Sequence, residues 1–177
     1  MSITDKLTDT GTQQETGTGF SPKRLNHAVL YVKDVIRSVE FYTKLMNMEV
    51  AATAPGMAAA FLRIKGSNNH HDLGLIGISG NDNNRMRSVG LYHLAWQVAT
   101  IEELALAKTS LLKAGAYYGE ANHGATLSIY GHDPDNIDFE IMWMLPRDAW
   151  GYYENQAVVE NLDFAAALVT WAGVSTI

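Results

Sequence analysis

Three side chains of this chain have the types and placement of a metal-ligand set: His27, His93 and Glu140. His27 opens the run HAVLYV, and His93 lies near the start of LYHLAWQV. Glu140 sits inside DFEIMW, where a carboxylate among apolar neighbours is costly to bury unless something pairs with it. Two imidazoles and one carboxylate suit non-haem Fe(II) and leave coordination positions open, while such N and O donors also accept Mn(II) or Zn(II). Taken singly, each residue is more often structural. The joint pattern is what points to a metal.

The elements that would carry these residues form a repeat. Residues 26–32 alternate, with His27, Val29 and Tyr31 on one face and Ala28, Leu30 and Val32 on the other, as in a half-buried strand. Asp34 then caps a helix bearing Val35, Val39, Tyr42 and Leu45. Strands are expected at 48–52, 58–64 and 72–78, with Pro55-Gly56 as a turn. The order β-α-β-β-β then recurs: a strand at 91–98, a helix capped by Thr100 and stopped at Gly115, and strands at 117–120, 126–130 and 138–143. Aligning the first strands sets His27 opposite His93. Aligning the last sets Glu140 near Gly74, so only the second unit offers a carboxylate there.

The expected organisation is a flexible N-terminal arm over 1–22, a first βαβββ module over 23–79, a linker over 80–89, a second module over 90–145, and a C-terminal helical extension over 146–177. In the extension Phe164, Leu168 and Trp171 fall at helical spacing, as for a tail packed on the sheet or on a second subunit. Among the remaining candidates, His70, His71 and His132 read as loop or turn residues. Trp96 and Trp143 read as core or interface.

Bulk composition narrows the function classes. A net charge of −6 without basic clusters argues against nucleic acid. The absence of cysteine removes disulfides, thiolate ligands and a cysteine nucleophile, and fits a cytoplasmic setting. No apolar run has the length of a membrane span, and the first twenty residues lack the features of a signal peptide. At 47% hydrophobic and 18% charged, the chain has a dry surface, which favours a homo-oligomer.

The paired modules, NHAVLYVKDVIRSVEFYTKLMNMEV in the first and IYGHDPDNIDFEIMW in the second, resemble the vicinal oxygen chelate superfamily over about residues 24–145. The resemblance implies an α+β fold in which two βαβββ modules pair into a cupped eight-stranded mixed sheet holding a metal through His27, His93 and Glu140. The stretch HGATLSIYGHDPDNIDFE is similar to the signature of extradiol ring-cleavage dioxygenases. It departs from that signature at Asn136, where Gly or Pro is usual; Asn tolerates positive φ, so the turn survives. This implies an Fe(II) enzyme that opens a catechol-type aromatic diol with O2. His123 would position substrate and oxygen by hydrogen bonding, and Tyr130 would assist deprotonation or ring orientation.

Two other metal-dependent chemistries occur on this scaffold. Fosfomycin-type thiol transferases need cations for a phosphonate, and here only Arg63 and Lys65 stand at a strand end. Glyoxalase I and epimerase relatives take a fourth ligand from the last strand of the first module, where DLGLIGI offers only Leu and Gly. Bleomycin-sequestering relatives bind ligands without the metal triad.

Overall fold

The computed structural model describes residues 25–78, 91–155 and 158–177. The expected arm over 1–22 and the linker over 80–89 lie outside those residues. The first module comprises β1 (Ala28–Val32), α1 (Val35–Leu45), β2 (Met48–Thr53), β3 (Ala59–Ile64) and β4 (Leu73–Gly77). The second comprises β5 (Leu94–Gln97), α2 (Ile101–Ala114), β6 (Tyr117–Asn122), β7 (Thr126–His132) and β8 (Asp138–Met144). Two 3-10 turns, Arg147–Ala149 and Gly151–Asn155, lead to α3 (Phe164–Thr170). Among the described residues no helix is long and apolar enough to cross a membrane.

The α+β class and the two βαβββ modules are as expected. The eight strands form two four-stranded mixed sheets, in the orders β1-β4-β3-β2 and β5-β8-β7-β6. Both sheets pair their first and last strands in parallel, with the same register: Ala28 opposite Leu73 in one, Leu94 opposite Phe139 in the other. The duplication extends to detail. Asp34 and Thr100 cap α1 and α2 by accepting from the Arg37 and Glu103 amides. Gly115 ends α2 in the left-handed region at φ 66°. Each module also carries a β-bulge at the matching place, between Val50 and Ala52 in β2 and between Tyr117 and Gly119 in β6.

The period-2 pattern decides which face is buried. In β7 and β8, Leu127, Ile129, Phe139, Ile141 and Trp143 point into the core beneath α2, and Trp143 is fully buried. Their alternates Tyr130, His132, Asp138 and Glu140 therefore share the opposite, concave face. In β1, Leu30 and Val32 are buried while Val29 and Tyr31 are about half exposed, as the alternation predicted. Each module has its own core cluster, and Phe41, Met46 and Trp96 pack against both.

The β7–β8 turn ties the modules together. Asp135 accepts from the Lys33 amide at 2.8 Å and pairs with Arg37 at 2.5 Å. Buried Asp133 accepts from the Tyr42 hydroxyl on α1 at 3.1 Å. Asn136 takes φ 60°, the left-handed conformation that asparagine tolerates. The C-terminal extension packs on the second module, with Trp171 against Trp143 at a ring-centroid distance of 5.7 Å.

Candidate functional site

Strand pairing makes Tyr130 and Glu140 cross-strand neighbours on the concave face of the second sheet. His93 stands one residue before β5, as His27 stands one residue before β1. From there His93 Nε2 reaches Glu140 Oε2 at 3.0 Å. Glu140 lies on a central strand and is only 9% exposed, not the solvent-reaching edge residue that its place after a turn suggests. His93 Nδ1 is buried and has no hydrogen-bond partner.

The imidazole and the carboxylate fit two ligands of one divalent cation. Donors about 2.1 Å from a common ion at a right angle stand about 3.0 Å apart, the separation that octahedral coordination demands. A cation there would also offset the cost of burying the Glu140 carboxylate. Among the described residues no group of three His, Cys, Asp or Glu side chains is close enough to hold a metal. His27 is the expected ligand that stands apart. It is exposed, its Nδ1 contacts Asn26 Oδ1 at 2.9 Å, and its ring lies 4.5 Å from that of His71. His71 in turn packs on Phe61, and burial together with the neighbouring His27 and His70 lowers its pKa below the usual imidazole value.

The repeat explains why the first module makes no such pair. Its counterparts of His93, Tyr130 and Glu140 are His27, Phe61 and Gly74, as the strand registers show. A Cβ added at Gly74 would lie 3.2 Å from a Val29 methyl, so that spot is closed by packing.

His123 and Tyr130 are brought together. His123 Nε2 and the Tyr130 hydroxyl are 2.6 Å apart, while Nδ1 lies 2.8 Å from the Val158 carbonyl oxygen. A carbonyl only accepts, so Nδ1 carries the hydrogen, and Nε2 of the neutral ring accepts from the tyrosine. Burial, then the Glu140 carboxylate, push the Tyr130 phenol up to about 12, so it stays a donor at neutral pH. The His93 and Tyr130 ring centroids are 6.2 Å apart, which places the dyad beside the ligand pair.

The Val158 contact joins segments 35 residues apart and left no local pattern to read. The tail crosses this end of the second module: Asn122 and Glu160 form an isolated bridge, and Tyr153 packs on Gly124. A Cβ at Gly124 would fall 2.2 Å from the Tyr153 ring, so the residue after His123 must be glycine. His132, expected in an exposed turn, is instead the last residue of β7 and stacks on Tyr118 with centroids 4.2 Å apart and planes 17° apart. Burial, then Asp138, push the Tyr118 phenol up to about 12 as well.

The chain matches the family model of the Glyoxalase/Bleomycin resistance protein/Dioxygenase superfamily over residues 24–141. Metapyrocatechase 2 of Cupriavidus necator is 27% identical over 117 residues, covering 64% of this chain and 34% of that protein. The chain thus spans about a third of the length of that relative. A glyoxylase/bleomycin resistance protein/dioxygenase domain from Frankia sp. EAN1pec superposes with a TM-score of 0.61 at 22% identity, over 72% of this chain and 96% of that one. The fosfomycin resistance protein FosX of Listeria monocytogenes, complexed with Mn(II) and sulfate, gives 0.58 at 23% identity, over 76% and 100%. A lactoylglutathione lyase from Agrobacterium tumefaciens gives 0.52 at 19%, over 69% and 94%. At these identities the structural likenesses show the fold alone.

Proposed function

The chain belongs to the glyoxalase/bleomycin resistance protein/dioxygenase superfamily, and from that premise we propose that it is an Fe(II)-dependent extradiol-type dioxygenase that opens a catechol-type diol with O2. The observation that carries this reading is one constellation: the His93–Glu140 pair beside a Tyr130 hydroxyl bonded to a tautomer-fixed His123. The likeness to Metapyrocatechase 2 supports it.

His93 and Glu140 would hold the metal with His27, contributed by a second copy of the chain. His27 is exposed just before edge strand β1, whose Val29 and Tyr31 are half exposed, the kind of apolar face a second copy covers. Bound iron would supply adjacent positions for the two diol oxygens and O2. Tyr130 can accept from a diol hydroxyl while it donates to His123, and His123 behind it can take up the phenolic proton or return it, since its Nε2 lone pair faces the hydroxyl. The Val158 carbonyl keeps that lone pair in place by holding the hydrogen on Nδ1.

A phosphonate reading finds less support, because Arg63 is paired with Glu49 and Asp138 stands on the same face as His132 and Tyr130. The test is anaerobic reconstitution with Fe(II), then oxygen uptake across a catechol panel with detection of the yellow ring-opened product. Uptake that is lost in Glu140→Ala and falls at least tenfold in Tyr130→Phe is expected. Iron bound stoichiometrically without oxygen uptake on any catechol would sink the reading.

A further inference from the structure

The next β7–β8 pair on the face of Tyr130 and Glu140 is His132 opposite Asp138. His132 Nδ1 lies 2.7 Å from Asp138 Oδ1. The carboxylate accepts, so Nδ1 carries the hydrogen and Nε2 of the neutral ring keeps its lone pair. No hydrogen bond to Nε2 occurs among the described residues.

The ring is also clamped by its stack on Tyr118, which itself stacks on Tyr130 with centroids 5.8 Å apart. Tyr118 is the extra residue of the β6 bulge, and a bulge re-aims the side chain it carries. The matching bulge of the first module holds Ala51. The dyad is not needed to close the β7–β8 turn, because Asp133 already binds the Asp135 and Ile137 amides at 2.8 Å. His132 nevertheless remains 41% exposed. It is therefore an oriented imidazole, open to the concave face, with an unused acceptor.

We infer that His132, oriented by Asp138 and Tyr118, is a specificity-determining residue that reads the end of the substrate distant from the diol. That end carries a neutral hydroxyl-bearing substituent that donates to Nε2. The inference rests on the diol reading above. Adjacent same-face positions of a strand lie about 7 Å apart, which is the span of a benzene ring and one substituent carbon. A diol held beside Glu140 therefore brings a ring substituent to His132. An anionic substituent is disfavoured there, since the Asp138 carboxylate stands beside the His132 ring. The cations Lys108 and Arg147 are engaged by Glu120 and Glu154.

The experiment measures calorimetric binding of catechols to Zn(II)-loaded protein, where no turnover occurs. The probes are 4-(2-hydroxyethyl)catechol, its apolar isostere 4-ethylcatechol, and 3,4-dihydroxyphenylacetate. The hydroxyethyl compound is expected to bind about fivefold tighter than the ethyl compound, as one hydrogen bond supplies, and the carboxylate weakest. In His132→Phe, which keeps a ring on Tyr118, the hydroxyethyl-to-ethyl ratio falls to about one. His132→Gln, whose amide oxygen can accept, recovers part of it. An unchanged ratio in His132→Phe, or tightest binding of the carboxylate, overturns the inference. Oxygen uptake by the iron form tests the dioxygenase separately: a ratio that collapses as expected without any uptake keeps this site and removes that chemistry.

Discussion

Asp133→Ala should unfold the link between the two modules at a cost that can be worked out from three hydrogen bonds. Oδ1 of Asp133 accepts from the Asp135 and Ile137 amides at 2.8 Å each, and Oδ2 accepts from the Tyr42 hydroxyl at 3.1 Å. The residue is 4% exposed. Truncation leaves two backbone donors and one buried phenol without partners, at about 1 kcal/mol or somewhat more apiece, or about 3–4 kcal/mol together. Against this, burial raises the Asp133 pKa above the usual carboxylate range, so its charge is held at a desolvation cost that truncation removes. Subtracting about 1 kcal/mol for that relief leaves about 2–3 kcal/mol. For a chain of this size that corresponds to about 6–10 °C in Tm.

Urea unfolding followed by tryptophan fluorescence reads the loss directly. Tyr42→Phe should cost about 1 kcal/mol alone, and the double variant should show about 1 kcal/mol of coupling, because the two residues share one bond. The pH dependence has a fixed sign. Since the folded value is raised, titration of Asp133 contributes stability that is present below the unfolded value near 3.9 and lost as pH rises through the folded value. The gap between wild type and Asp133→Ala is therefore larger at pH 4 than at pH 7. A loss under about 0.5 kcal/mol, or additive single and double variants, would refute the reasoning.

Two further outcomes follow from local geometry. Tyr117, Tyr118 and Tyr130 have phenols pushed up to about 12, mainly by burial, so their ionisation costs the fold stability that is present below pH 10 and lost as pH rises towards 12. Alkaline difference absorbance should show these tyrosines titrating late, and all eight titrating together near pH 10 with the fold intact would contradict it. Asn136 sits at φ 60°, so Asn136→Ala should destabilise by about 1 kcal/mol while Asn136→Gly stays within about 0.5 kcal/mol, read by the same unfolding curves.

The duplicated architecture was legible in the sequence because period-2 and period-3.6 patterns, caps and turn residues are local. Aligning His27 with His93 and Gly74 with Glu140 reproduces the strand registers of both sheets. The shared face of Tyr130 and Glu140 was legible for the same reason: alternation puts them on one side, and Asn136 closes the turn that sets them opposite each other. What pattern could not reach was contact between distant segments. The Val158 carbonyl on His123 and the docking of Tyr153 over Gly124 depend on how the extension folds back. The separation of His27 from His93 is likewise a matter of how modules and copies pack.

The bulges show how one repeated backbone comes to carry different side chains in its two halves. Both modules keep the same backbone irregularity in their second strand, which suggests that it serves the sheet's curvature. With Ala51 at that point the first module gains nothing on its concave face. With Tyr118 there, the second gains a ring that stacks on both Tyr130 and His132 and so fixes the angle of two functional side chains at once. Glu140 replaces a glycine, Tyr130 a phenylalanine and Tyr118 an alanine, all at equivalent positions. These three differences give the second module a carboxylate and two phenols at positions where the first has neither. The first module keeps His27 at the place of His93, so the two imidazoles expected as ligands stand on different modules.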